Sequence, residues 1–74
     1  GAKLEEELVE AGIDSPEELM QLGAKDAFLR IRMQVPDACV NQLYALAGAA
    51  EGMRWHHLSR QSREELKKWY RSLG

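Results

Sequence analysis

Four cations near the end of the chain, Arg60, Arg63, Lys67 and Arg71, recur at three- and four-residue steps, the spacing that lines side chains along one edge of a helix. Guanidinium and ammonium groups in a row make charge-assisted hydrogen bonds to phosphate or carboxylate oxygens. The stripe is therefore a candidate surface for DNA or for an acidic protein, although a solvated helix edge has the same pattern. A second candidate is the stretch Leu22-Gly23-Ala24-Lys25. There Gly23, Ala24 and Lys25 open a helix and offer backbone N–H groups and one ammonium to a phosphate. Asp26 and the runs Glu5-Glu6-Glu7 and Glu17-Glu18 oppose that use, since phosphate binding draws its affinity from charge neutralisation. With no ligand to serve, the same glycines simply end helices.

Other chemistry finds few residues. Trp55 is a natural anchor for a partner if exposed, but in so small a domain burial is the expectation for Trp55 and Trp69 alike. His56 and His57 are adjacent and diverge on a helix, with no carboxylate or thiol at metal-ligand spacing, so no metal site is expected. Cys39, the single cysteine, has no base beside it and reads as a small apolar residue at the start of a buried helix. One cysteine excludes an internal disulfide framework and a multi-cysteine zinc site and fits a reducing compartment, so a cytoplasmic location is expected. No paired carboxylates, glycine-rich phosphate loop or nucleophile elbow can be assembled. The chain reads as a non-enzyme without a cofactor.

The elements that position these residues must fit into 74 residues, 45% of them hydrophobic and 30% charged. That is one small domain, residues 1–74, burying about 60% of its unfolded surface; the start at Gly1 rather than Met suggests a domain excised from a longer chain. The most apolar stretch, Ala38 to Ala50, is interrupted by Asn41 and Gln42 and falls short of the ~20 residues of a membrane span. Charge is unevenly placed. Residues 1–52 carry four basic and ten acidic side chains, a balance of −6, and residues 53–74 carry six basic and two acidic, a balance of +4. Such asymmetry marks either an interaction surface or a self-complementary globule in which the basic last helix lies near the acidic early ones.

Between Gly12, Pro16, Gly23, Pro36 and Gly52 the residues favour helix, and no strand is expected. Leu4 and Leu8 give Lys3 to Glu10 an apolar face. Ala11-Gly12-Ile13 has the form of a helix-ending turn. Ser15-Pro16-Glu17-Glu18 combines an N-cap serine, a first-turn proline and the glutamate of a capping box, opening a short helix through Leu22. Ala24, Ala27, Phe28 and Ile31 define a third helix from Ala24 to Met33, stopped by Pro36. Asp37 is the expected cap for Cys39 to Glu51, whose apolar residues lie nearly all round and mark it as the buried central helix. Ala45, Gly48 and Ala49 are small, as close approach by a neighbouring helix requires. Residues 53–58 read as a turn or a single helical turn. Ser59 or Ser62 caps the last helix, with Ser62 to Glu65 matching a capping box; its Leu66, Trp69, Tyr70 and Leu73 form the apolar face. The sum is an all-α compact bundle of about five short helices.

The pattern L-x-x-A-G-I-D-S-x-E-E-L-x-x-L-G-A beginning at Leu8, followed by N-Q-L-Y-A-L-A-G-A-A-E-G-M from Asn41 to Met53, resembles the C-terminal domain of the TfoX/Sxy family of bacterial competence regulators. The resemblance spans Leu4 to Leu73. It implies an all-helical, helix-hairpin-helix or SAM-like domain that in full-length members follows a mixed N-terminal domain. It also implies a non-enzymatic interaction domain in a regulator of DNA-uptake gene transcription, contacting a protein partner such as the cyclic AMP receptor protein or RNA polymerase. The alternative is a helix-hairpin-helix module that binds DNA without reading sequence. Trp55-His56-His57-Leu58 departs from the family pattern in its two histidines, a change that touches a surface and not the fold.

Overall fold

Local signals set the helix ends. The computed structural model describes residues 2–52 and 58–73, which form five helices: α1 (Ala2–Glu10), α2 (Pro16–Leu22), α3 (Ala24–Gln34), α4 (Val40–Ala50) and α5 (Arg60–Ser72). Among the described residues there is no strand, and no helix is long and apolar enough to cross a membrane. The expected all-α bundle of five helices is what forms. Residues 53–57, with Trp55, His56, His57 and most of the expected 53–58 turn, lie outside the described residues.

Gly12 ends α1 with φ 84°, and the N–H groups of Gly12 and Ile13 return to the carbonyls of Val9 and Leu8 at 3.0 and 2.9 Å. This double closure folds Ile13 back into the core, where it is 4% exposed. Ser15 caps α2, its Oγ accepting from the Glu18 N–H at 3.2 Å. The expected reciprocal bond differs: the Glu18 carboxylate accepts from the N–H of Asp14 at 3.0 Å, one residue before the cap. Gly23 is at once the last cap of α2 and the first of α3. Its φ 90°, ψ 156° belongs to a backbone region that is essentially glycine-only, and this lets two helices meet across one residue.

The caps of α4 and α5 complete the helix starts. Cys39, not Asp37, caps α4; the Cys39 N–H donates to Gln42 Oε1 at 3.0 Å. As a cap at the helix rim Cys39 is exposed, which corrects its reading as a small buried residue. Ser59 caps α5, its Oγ accepting from the Ser62 N–H at 3.0 Å, so Ser62 lies inside the helix and the Ser62–Glu65 capping box does not form.

The core is built from Phe28 and Ile31 of α3 and Leu43 and Leu46 of α4, all essentially inaccessible, with Leu19 of α2, Ile13 and Ala38 around them. α4 packs on α2, α3 and α5, the central place its apolar circumference predicts. α1 leans on α3 and is tied to it by Gln34 Nε2, which donates to the Glu10 carbonyl at 2.9 Å. Glu7 is buried at 8% exposure; its Oε1 accepts from Gln42 Nε2 at 2.7 Å, so one glutamine links the start of α4 to α1. α5 contributes no fully buried residue. It is held by the partly buried Leu66, Trp69, Tyr70 and Leu73, and both its rings meet Phe28 edge-on, at centroid distances of 6.1 and 5.8 Å.

Candidate functional site

The apolar face of α5 faces the core, which leaves its charged edge at the surface. Arg60, Lys67 and Arg71 are exposed and Arg63 is half-buried. Arg60, Arg63 and Lys67 line a shallow cleft of about 200 Å³ together with Glu64 and Tyr44 of α4. Arg71, one turn beyond Lys67, is not part of its lining. The edge thus becomes a concave site with three cations, one carboxylate and an aromatic ring. Arg60 Nε donates to Glu64 Oε1 at 3.1 Å, with side chains 87% and 67% exposed. A pair this wet is worth about 0.3–0.5 kcal/mol, little enough for an incoming carboxylate or phosphate to displace. Tyr44 is the member that the sequence did not single out. It belongs to the apolar circumference of α4, and its cations come from another helix, so no spacing within α4 marks it.

The glycine hairpin has a different electrostatic setting. Gly23, Ala24 and Lys25 open α3 at a cavity of about 510 Å³ that is also lined by Asp26, Glu51 and Glu65. Three carboxylates thus share this space with one ammonium, and that ammonium is engaged: Lys25 Nζ lies 5.6 Å from the centroid of the Trp69 ring, within cation–π range. Trp69 is half-buried instead of fully enclosed. Trp55 falls outside the described residues, so the structure joins it to neither site.

The acidic and basic parts of the chain do not neutralise each other. α5 packs on α4 and reaches Phe28 of α3, and neither α1 nor α2 has an extended packing contact with it. Among the described residues the only ion pair is Arg60–Glu64, inside α5 itself. The acidic helices α1 and α2 and the basic helix α5 thus do not pack extensively on one another. No three His, Cys, Asp or Glu side chains among the described residues converge in a group able to hold a metal.

The model of the TfoX C-terminal domain family matches residues 1–70. The chain belongs to the TfoX C-terminal domain family. Two solved structures from Listeria monocytogenes share the fold of this TfoX-family domain. A protein of unknown function in a tetragonal crystal form is 47% identical with a TM-score of 0.95, over 100% of this chain and 90% of that one. An uncharacterised protein in a triclinic form is 48% identical with a TM-score of 0.95, over 99% of this chain and 83% of that one. No curated protein matches the chain.

Proposed function

We propose that this TfoX-family domain is a non-enzymatic interaction module in a bacterial, cytoplasmic regulator of DNA-uptake gene transcription, and that the basic edge of α5 docks an acidic face of a protein partner. The observation that carries this reading is the Tyr44 cleft. Arg60, Arg63 and Lys67 surround an aromatic residue on a helix whose other face is fastened to Phe28, so the cations are presented at the surface. Cations gathered on one helix edge accelerate encounter with an acidic partner. Resemblance to the TfoX/Sxy regulators suggests the cyclic AMP receptor protein or RNA polymerase as that partner.

The decisive experiment titrates the 74-residue chain with each of these purified proteins, and separately with duplex DNA over a salt series. The double variant Arg63→Glu with Lys67→Glu is expected to melt like the parent and to lose partner binding. Unchanged binding by the folded variant refutes the assignment of the edge.

The helix-hairpin-helix reading rests on one specific feature, the junction of α2 and α3 across Gly23 alone. Against it stand Asp26, Glu51 and Glu65 in the same cavity. Duplex binding that falls steeply with salt moves the function to DNA. The four cations Arg60, Arg63, Lys67 and Arg71 account for a log–log salt slope of about −3 to −4 at most, so a steeper slope requires contacts beyond α5.

A further inference from the structure

The acidic half of the molecule carries a site of its own. Between α1 and α2 lies a groove of about 400 Å³ lined by Val9, Ile13, Leu19 and Ala49, with Glu5 and Asp14 also in its lining. Ile13 and Leu19 are 4% and 3% exposed, so part of the groove's lining is the outer surface of the core. Val9 is 60% exposed. Ala49 is also exposed although it sits on the most apolar helix of the fold. Its small side chain was expected to admit a neighbouring helix, but Ala49 remains open to solvent. Residues 2–22 carry seven acidic side chains and one basic one. Only Glu7 among the seven is buried, on Gln42.

We propose that this groove binds an amphipathic helix of a partner protein, one whose apolar ridge rests on Leu8, Val9 and Ala49 and whose flanks carry Lys or Arg opposite Glu5 and Asp14. Helices dock in grooves by laying down an apolar stripe, and the alanine at position 49 permits close approach. Charge selects the occupant. A rim of carboxylates repels nucleic-acid backbones and anionic lipid, and favours basic flanks. Helix α5 of a second copy fits poorly, because it already uses Leu66, Trp69, Tyr70 and Leu73 against its own core and has no apolar ridge left to fill the groove. The inference is independent of the Tyr44 cleft, which lies on other helices.

The test uses two designed helical peptides with the same leucine ridge, one flanked by lysines and one by glutamates, titrated into the isotopically labelled 74-residue chain. The lysine-flanked peptide is expected to bind about ten-fold more tightly or better, with amide shifts concentrated at Val9, Ile13 and Ala49. Ala49→Arg is expected to lose that binding, and Glu5→Lys with Asp14→Lys to reverse the preference between peptides. All three positions are exposed, and circular dichroism verifies that each variant is folded. Equal affinity for the two peptides, no binding up to about 1 mM, shifts that map to α5, or sedimentation showing that the chain dimerises through the groove each overturns the proposal.

Discussion

Replacing Phe28 with leucine tests how the basic edge is held. Phe28 is completely buried and is the residue on which both Trp69 and Tyr70 rest, with interplanar angles of 68° and 65°. Edge-to-face pairs of this kind contribute about 0.5–1.5 kcal/mol each beyond the area they bury. Leucine keeps the site apolar but loses both ring contacts and leaves a residual cavity costing about 1 kcal/mol. The combined loss is about 2–4 kcal/mol. A domain of 74 residues has a total stability of about 4–11 kcal/mol and an unfolding entropy near 0.16 kcal/mol/K at its midpoint, so Tm is expected to fall by about 12–25 °C. Because α5 has no fully buried residue, the loss concentrates there. Hydrogen exchange followed by NMR should show the amides of residues 63–72 losing protection before those of α3 and α4. A Tm within about 3 °C of the parent, or protection lost evenly across all helices, refutes the role of Phe28 as the anchor of the charged edge.

Two further substitutions probe the joints. Gly23→Ala places a side chain at φ 90° where nothing lies within 4 Å, so its cost of about 1–3 kcal/mol is purely conformational; chemical synthesis with D-alanine at that position, which accepts the mirror-image conformation, is expected to restore the parental urea midpoint. Gln42→Ala removes both the amide that Glu7 Oε1 accepts from and the acceptor for the Cys39 N–H. It is expected to cost about 2–3 kcal/mol, read as a lower urea midpoint with an unchanged m-value.

How much of this was legible in sequence follows from the range of each signal. Ser15 with Pro16, Gly12 with Ile13, and the glycine at position 23 act through bonds spanning three to five residues, and their helix ends came out as expected. Competing local signals were harder: Ser59 and Ser62 both suit a cap, and the choice is made by where Leu58, 6% exposed, is buried. Asp37 lost to Cys39 because Ala38, 3% exposed, has to reach the core before α4 begins, which leaves the thiol outside. Interactions across the chain left no local trace. Glu7 and Gln42 are 35 residues apart, and Lys25 meets Trp69 only after the bundle has closed. The basic stripe was visible in the spacing of Arg60, Arg63 and Lys67, but not its pairing with Tyr44, which depends on how α4 and α5 cross. The groove was likewise hidden: Ala45, Gly48 and Ala49 announced a close approach, of which the fold buries Gly48 and leaves Ala49 open.

The separation of charge between helices has a consequence for how the domain is perceived at a distance. The molecule measures 29 × 27 × 20 Å, several times the Debye length of about 8 Å at physiological ionic strength. A partner touching α5 therefore responds to Arg60, Arg63 and Lys67 and is screened from distant carboxylates, while a partner at the groove responds to Glu5 and Asp14. The net charge of −2 is a quantity that neither partner experiences. At low ionic strength the two fields overlap and partially cancel at long range. Added salt up to the physiological level thus sharpens the contrast between the two surfaces even as it weakens each one.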